Sequence, residues 1–318
     1  MRKRLRSVFN WILWAFLAQF VLINISGSIY AYKLTHFYEP APSTIEEPRS
    51  KNVFVKTWRL FKGPVYRKIT NEDPPEFPYQ TVNLLAKDSL LLETWYIPVD
   101  SSKGTVILIH GLGGNKSSVL KQAYEFRYLG YSVMLVDLRA HGRSGGDITT
   151  MGYRESEDVK LAYEYILKKG EKNIILYGIS MGSVVITKAF YDYNIAPSKI
   201  ILEIPFSNFK RLVGVRGKMI GFPESPFGTF ITFWASIERG FNGYRQDTYK
   251  YVQKINCPVL MQCGETDIFT SPAERDVIFE NIASSEKKLV IYEHAIHQSL
   301  LNADPLKWRK EVDEFLSK

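Results

Sequence analysis

Short apolar runs alternate with longer helical segments between residues 105 and 204, and this alternation constrains the fold more than any other feature of the chain. Four predicted strands occupy residues 105–110, 132–137, 173–178 and 199–204. Three predicted helices lie between them, at residues 117–129, 155–168 and 181–193. Strands that are apolar along their whole length are buried on both faces, as in a parallel sheet covered by crossover helices. The sequence therefore predicts an α/β fold with a mostly parallel central sheet and helices on both faces.

Further elements extend this pattern in both directions. They are an antiparallel hairpin (residues 79–87 and 90–98), two more strands (258–263 and 287–292) and an amphipathic closing helix (305–316). The interval between residues 204 and 258 is too long for a simple crossover, and it is rich in Phe, Gly and Trp. We expect residues from about 206 to about 255 to form a lid over the carboxyl edge of the sheet, inserted in a domain at residues 79–318.

The N-terminal segment carries no charged residue from Ser7 to Tyr32. Residues 8–25 are apolar except for Asn10, Gln19 and Asn24, and this stretch is long enough for a helix that spans a membrane. Basic residues beside a span tend to stay in the cytoplasm, and four precede this one: Arg2, Lys3, Arg4 and Arg6. We therefore expect residues 1–32 to be a single-pass membrane anchor with a cytoplasmic N-terminus and an extracytoplasmic remainder.

The small residues Ser26, Gly27 and Ser28 leave an alternative open, because they also suit the cleavage site of a signal peptide. In that case the protein is secreted. Residues 33–78 contain seven prolines and scattered charges, which predict a juxtamembrane linker.

Charge and cysteine content exclude several other kinds of protein. Half of the net charge of +8 comes from the four basic residues at the N-terminus, and no basic run is interleaved with aromatic residues, so we expect no nucleic-acid partner. The two cysteines, Cys257 and Cys263, lie in a predicted strand that would hold them about 20 Å apart. That separation excludes a disulfide, and the spacing does not suit a metal site. We expect neither a metal nor a cofactor.

The segment Gly178-Ile179-Ser180-Met181-Gly182 lies where a predicted strand meets a predicted helix. A G-x-S-x-G string is common by chance, but in this context it describes a nucleophile elbow, a sharp turn that raises a serine hydroxyl above the sheet. The flanking glycines leave room for the strained backbone of the serine. Ser180 is therefore the predicted nucleophile.

A serine hydroxyl needs a base to remove its proton and a carboxylate to orient that base. His297 follows the last predicted strand and is the predicted base, whereas His294 comes sooner after that strand and is expected to support the loop. Asp267 directly follows the strand before it and is the predicted carboxylate. The order serine, aspartate, histidine is the chain order that a nucleophile elbow of this kind requires.

The developing oxyanion needs preorganised N–H donors close to the nucleophile. The backbone N–H of Met181 is the first expected donor, and that of Leu112, in the glycine-rich loop His110-Gly111-Leu112-Gly113-Gly114, is the second. A glycine-rich loop after a strand can also hold a phosphate, but no nucleotide-binding motif follows it. We therefore expect no nucleotide.

The motifs HGLGG, DLRAHGRSGG, GISMG, GETDIFTSP and HAIHQSLL resemble, in this order, those of the α/β-hydrolase superfamily. Within it they are most similar to the branch of serine esterases, monoacylglycerol lipases and serine aminopeptidase-like hydrolases. The resemblance covers the chain from about residue 79 onward and implies the α/β-hydrolase fold. It also implies a cofactor-free two-step acyl transfer, in which Ser180 attacks a carbonyl and water activated by His297 releases the acid.

These features predict a carboxylic-ester hydrolase for a small-molecule acyl substrate of moderate apolarity, because the lid is rich in Phe and Trp. A serine peptidase or amidase with the same three residues is an alternative. It is disfavoured because a site for a substrate amino group needs acidic residues in the lid, and Glu224 and Glu238 are the only acidic residues between Glu203 and Asp247. A noncatalytic binding protein of the same fold is a third reading, although such proteins usually lack one of the three residues.

Overall fold

The structure is a computed structural model that describes residues 2–39, 53–70 and 73–318. Three prolines of the predicted linker, Pro40, Pro42 and Pro48, lie outside the described residues. The helices are α1 (Arg2–Leu34), α2 (Val53–Lys62), α3 (Leu120–Tyr128), α4 (Ser156–Lys168), α5 (Met181–Asp192), α6 (Phe209–Met219), α7 (Glu224–Arg239), α8 (Thr248–Tyr251), α9 (Pro272–Asn281), α10 (Leu300–Ala303) and α11 (Pro305–Leu316). The strands are β1 (Phe37–Tyr38), β2 (Tyr66–Arg67), β3 (Gln80–Leu85), β4 (Leu91–Ile97), β5 (Thr105–Ile109), β6 (Ser132–Val136), β7 (Ile174–Ile179), β8 (Lys199–Glu203), β9 (Val259–Gly264) and β10 (Lys287–Tyr292).

The main sheet has eight strands in the order β10-β9-β8-β7-β5-β6-β4-β3. Strand β4 pairs antiparallel with both β3 and β6, and every other pair in this sheet is parallel. The central strands β5 and β6 are buried at every position, which is why their sequences read as continuous apolar runs. The prediction of a mostly parallel sheet is confirmed, and each of the six parallel strands was predicted to within one residue at either end.

Successive side chains of a strand point to opposite sides of the sheet, so strands that are apolar at every position make both faces apolar. Helices cover both of these faces. Helices α3 and α11 cover one face, where Phe126 packs edge to face on Tyr177 and Trp308 with ring centroids 5.4 and 5.6 Å apart. Helices α4 and α5 cover the other face, in a second buried cluster that also includes residues of α1, α6 and α7.

The predicted lid is helical and contains α6, α7 and α8. Helix α6 begins where the Asn208 side chain accepts a hydrogen bond of 2.9 Å from the backbone N–H of Arg211, and such a cap satisfies one of the free donors of a helix N-terminus. Helix α7 ends at Gly240, which takes the left-handed conformation. The bounds of the lid and of the domain remain predictions.

Helix α1 is long enough to cross a membrane and is also attached to the lid. Its apolar portion from Arg6 to Leu34 has 29 residues, and no residue of its most apolar window is buried. Toward its C-terminal end, however, Tyr30 packs edge to face on Phe227 of α7, with ring centroids 5.3 Å apart. The Arg239 guanidinium, at the end of α7, donates a 2.7 Å hydrogen bond to the Thr35 hydroxyl.

The described part of the predicted linker holds regular structure and contacts the domain. Strands β1 and β2 form a short parallel pair, and the backbone N–H of Phe37 donates a 2.7 Å bond to the Asp147 carbonyl. Leu60 of α2 is buried in the same cluster as Leu34 of α1. This segment therefore packs α1 and α2 together at the edge of the lid.

Candidate active site

Ser180 lies on a sharp turn between β7 and α5, with φ 53° and ψ −112°. This left-handed backbone is strained for a residue with a side chain, and the surrounding structure has to hold it. Neither flanking position has room for a side chain, so both have to be glycine. A Cβ on Gly178 would lie 2.6 Å from the backbone N of Ser183, and one on Gly182 would lie 2.3 Å from the Ile109 carbonyl oxygen. The turn therefore has the geometry that the nucleophile-elbow pattern predicts.

His297 and Asp267 extend from loops that follow β10 and β9. The Ser180 hydroxyl lies 2.8 Å from Nε2 of His297, and Nδ1 of His297 lies 2.7 Å from Oδ2 of Asp267. Asp267 is only 3 % exposed, and its other oxygen accepts hydrogen bonds from the backbone N–H groups of Phe269 (2.8 Å) and Thr270 (3.3 Å). These bonds fix the carboxylate, so the structure brings the three predicted side chains together in a continuous hydrogen-bonded chain.

Leu112 and Met181, the two predicted oxyanion donors, border the same cavity as Ser180. Met181 is the first residue of α5, and the first N–H groups of a helix have no carbonyl partner within that helix. The loop that carries Leu112 passes close to the nucleophile, because a Cβ on Gly111 would lie 3.5 Å from Cβ of Ser180. Both residues thus lie at the same cavity as Ser180.

A small cavity of about 30 Å³ opens beside Ser180 and His297. Its wall is mostly apolar and includes Leu112, Met151, Met181, Phe206, Leu212 and Phe269. Lid helix α6 also contributes a charged residue, Arg216, one turn after Leu212. The sequence prediction did not include Arg216. The spacing of four residues between Leu212 and Arg216, which places them on one helical face, is the signal that could have found it.

The other four histidines do not border the cavity. His110 and His141 are buried, with ring centroids 5.0 Å apart, and neither borders the cavity. Burial lowers the pKa of His110 below its ordinary value of 6.5 and lowers the pKa of His141 to about 3, so both rings are neutral at physiological pH. His294 has 92 % of its side chain exposed and lies 3.8 Å from the Glu265 carboxylate. His36 lies near Asp147 at the end of α1.

The described residues offer no obvious place for a metal or a disulfide. Within residues 2–39, 53–70 and 73–318, no group of three or more His, Cys, Asp and Glu side chains could hold a metal ion. Cys257 and Cys263 are both free thiols.

The chain is similar in sequence to several known proteins. Residues 100–222 match the family model described as serine aminopeptidase, S33. The chain is 25% identical to the Bacillus subtilis protein YqkD over 229 residues, which cover 71% of this chain and 75% of that protein. It is 24% identical over 293 residues to the Danio rerio lysophosphatidylserine lipase ABHD12, with 83% of this chain and 69% of that protein covered.

Among solved structures, the chain is similar to the Pyrococcus furiosus esterase Pf2001, with a TM-score of 0.66. The two sequences are 22% identical, and the match covers 79% of this chain and 98% of the esterase. At this level of identity the likeness concerns the fold, and it extends over nearly all of the esterase.

Proposed function

Because the chain belongs to the α/β-hydrolase superfamily, we propose that it is a serine hydrolase that cleaves carboxylic esters through an acyl-enzyme on Ser180. One observation carries this proposal. The hydroxyl of Ser180, the imidazole of His297 and the carboxylate of Asp267 form a chain of two short hydrogen bonds, of 2.8 and 2.7 Å, at the edge of a cavity. This is the arrangement that activates a serine for attack on an acyl carbon.

In the first half of the reaction, His297 takes the proton of Ser180 as the serine oxygen bonds to the carbonyl carbon. Asp267 holds the imidazole in the tautomer whose Nε2 is free to accept that proton. The N–H groups of Met181 and Leu112 stabilise the negative charge on the carbonyl oxygen. His297 then gives its proton to the departing alcohol, and the ester bond breaks to leave an acyl-Ser180.

In the second half, water enters the place of the alcohol and gives a proton to His297 as its oxygen bonds to the acyl carbon. The tetrahedral intermediate collapses, the acid departs, and the proton returns to the Ser180 oxygen. No redox step or additional group is required.

The lid favours ester cleavage over removal of amino acids from peptides. A pocket for a substrate amino group requires an unpaired carboxylate, and the two acidic residues between Glu203 and Asp247 are engaged elsewhere. Glu224 pairs with Arg211 at 2.8 Å, and Glu238 accepts a hydrogen bond of 2.5 Å from Ser28. The apolar cavity wall instead suits a hydrocarbon chain, and the relatives include a named lipase and a named esterase.

The packing of α1 supports an anchor that is retained. Ser26 is 2 % exposed, and a Cβ on Gly27 would lie 2.2 Å from the Phe230 ring of α7, so both small residues are part of a helix contact. Cleavage at Ser26–Ser28 would remove Gly27 from this contact and expose the Phe230 ring that lies against it. We propose that residues 1–32 remain attached, with the basic N-terminus in the cytoplasm and the hydrolase domain on the other side.

The test uses the full chain in detergent and a panel of p-nitrophenyl esters of increasing acyl length, beside a panel of aminoacyl p-nitroanilides. We expect a burst of p-nitrophenol followed by steady turnover on esters, and little cleavage of the anilides. Ser180→Ala should lower kcat by at least about a thousandfold, because the nucleophile is lost. Ser285→Ala, at an exposed serine, is the matched control and should keep full activity.

Three results would overturn the proposal. Wild-type activity confined to the anilides would favour the peptidase or amidase alternative. Ester turnover that survives Ser180→Ala would exclude an acyl-enzyme on this residue, and absence of any hydrolysis would favour a noncatalytic protein.

A further inference from the structure

We infer that Arg216 forms a subsite for an anionic group of the substrate, so that the ester cleaved at Ser180 also carries a carboxylate or a phosphate. This inference rests on the proposed esterase function and adds a substrate class to it.

Arg216 lies on the lid face that closes the cavity. It is one turn from Leu212 on α6, and both side chains border the same space as Ser180 and His297. The guanidinium carbon lies 5.7 Å from the centre of the Phe269 ring, and that ring lies 5.0 Å from the His297 ring. The cation is therefore separated from the general base by a single aromatic side chain.

The guanidinium is held in place, and it has no counter-ion among residues 2–39, 53–70 and 73–318. Its Nη1 donates a 2.5 Å hydrogen bond to the Tyr66 hydroxyl, and its carbon lies 5.6 Å from the centre of the Tyr66 ring. Nε is buried and has no hydrogen-bond partner within the described parts of the chain, where no carboxylate forms an ion pair with Arg216 either. The neighbouring Arg211 differs, because it pairs with both Glu224 and Glu274.

This environment favours an anion from outside the chain. A partly buried cation that has lost water without gaining a counter-ion raises the free energy of the empty site. A guanidinium presents forked donors that match the oxygens of a carboxylate or phosphate, and the hydrogen bond to the Tyr66 hydroxyl holds it at the cavity. The apolar wall around Leu112, Met151 and Phe206 receives the hydrocarbon part. The matching substrate class is an amphiphilic ester with one acidic group.

The acidic group can belong to the alcohol or to the acyl part of the ester, and two pairs of substrates distinguish these cases. Monolauroylglycerol and monolauroylglycerol phosphate differ by an anion on the alcohol side. The p-nitrophenyl ester of octanoic acid and the mono-p-nitrophenyl ester of suberic acid differ by a carboxylate at the far end of the acyl chain. Wild-type enzyme should have the higher kcat/KM on the anionic member of one pair.

Arg216→Gln should lower kcat/KM on that anionic member by about tenfold or more, mainly through KM, and should change the neutral member little. Arg216→Lys should recover part of the preference, because it keeps the charge but loses the fork. Lys218→Gln, at an exposed lysine of the same helix, removes the same charge and should leave the preference intact.

Binding is measured separately from turnover. Octyl phosphate should raise the thermal unfolding temperature of the wild type and of Lys218→Gln, and it should raise that of Arg216→Gln much less. Octanol is the neutral control.

Two outcomes overturn the inference. In the first, the wild type is active, but its kcat/KM on the anionic member divided by that on the neutral member equals the ratio of Arg216→Gln in both pairs. The other is an equal loss in Arg216→Gln and Lys218→Gln, which would assign the effect to the general charge of the surface. A wild type that cleaves none of the four esters overturns the esterase proposal instead, and the octyl phosphate measurement then still reports on the anion site.

Discussion

At the scale of single residues, the site depends on backbone that other residues hold in place. Ser180 keeps a positive φ because glycines at positions 178 and 182 allow the chain to pass within contact distance of its neighbours. Asp267 keeps its orientation through two backbone N–H donors. These backbone contacts hold Ser180 and Asp267 in place, which is the preorganisation that the proposed catalysis requires.

Two buried histidines beneath the site predict a loss of stability in acid. In the folded protein His141 stays neutral, because burial lowers its pKa to about 3. In the unfolded chain the same side chain binds a proton near pH 6.5. The contribution of His141 is therefore complete above pH 6.5 and is lost as the pH falls toward 3. The cost is up to about 1.4 kcal/mol for each pH unit in that window. Burial also lowers the pKa of His110, which acts in the same direction.

Urea unfolding of the full chain in detergent, followed at several pH values between about 7 and 5, measures this effect. His141→Gln should reduce the pH dependence of the unfolding free energy by about 1 kcal/mol per pH unit, whereas His294→Gln, at an exposed ring, should not. An unchanged slope in His141→Gln would contradict the assignment.

Sequence reasoning was able to select three side chains that lie together in the structure, because chemistry limits the choice. A nucleophile needs a base and a carboxylate, and the fold fixes their chain order as Ser180, Asp267 and His297. No comparable chemical requirement pointed to Arg216. Its place in the cavity depends on which face α6 turns toward the sheet, and this follows from the packing of the lid.

At the scale of secondary-structure elements, the contact between α1 and α7 joins the N-terminal helix to the lid. Phe230 and Trp234 of α7 lie against Gly27, where a Cβ would come within 2.2 Å of the Phe230 ring. Tyr30 packs on Phe227 one turn of α1 further along. The N-terminal helix therefore holds one of the two principal helices of the lid.

Enlarging the residue at this contact should disturb the lid. Gly27→Leu forces its side chain into the Phe230 ring and should destabilise the fold by about 1–3 kcal/mol. It should also change kcat/KM for esters, because α7 packs on the cavity helix α6. Val21→Leu, on the exposed face of α1, is the matched control. Thermal unfolding and ester kinetics measure both effects, and wild-type values for Gly27→Leu would mean that the contact does not position the lid.

The elements were predictable to different degrees, for physical reasons. The parallel strands were predicted because complete burial imposes a continuous apolar run. The contact of α1 with α7 was not predicted, since a helix that is apolar on every side indicates no packing face. The residues Ser26 and Gly27 were compatible with a cleavage site in the sequence, and in the structure their small size permits the close approach of α7. Helix α2 was missed because it lies within a proline-rich segment.

At the scale of the whole molecule, a single connected structure joins the N-terminal helix, the lid and the reacting residues. Helix α1 contacts α7, α7 packs on α6, and α6 brings Leu212 and Arg216 to the cavity beside Ser180. The cavity is small, so entry of a long acyl chain requires movement of this lid. If α1 spans a membrane, that movement takes place beside the bilayer, where amphiphilic esters are concentrated.

The central claim is that Ser180 is an activated nucleophile, and mass spectrometry of the protein after treatment with a fluorophosphonate tests it most directly. The reagent phosphonylates a serine hydroxyl that a neighbouring imidazole deprotonates. Protein extracted from membranes should show the mass of the complete chain plus one phosphonyl group, and fragmentation should assign that group to Ser180. His297→Ala should prevent the labelling. A missing N-terminal segment would contradict only the retained anchor, whereas an unlabelled Ser180 or a label on another residue would contradict the account of the active site.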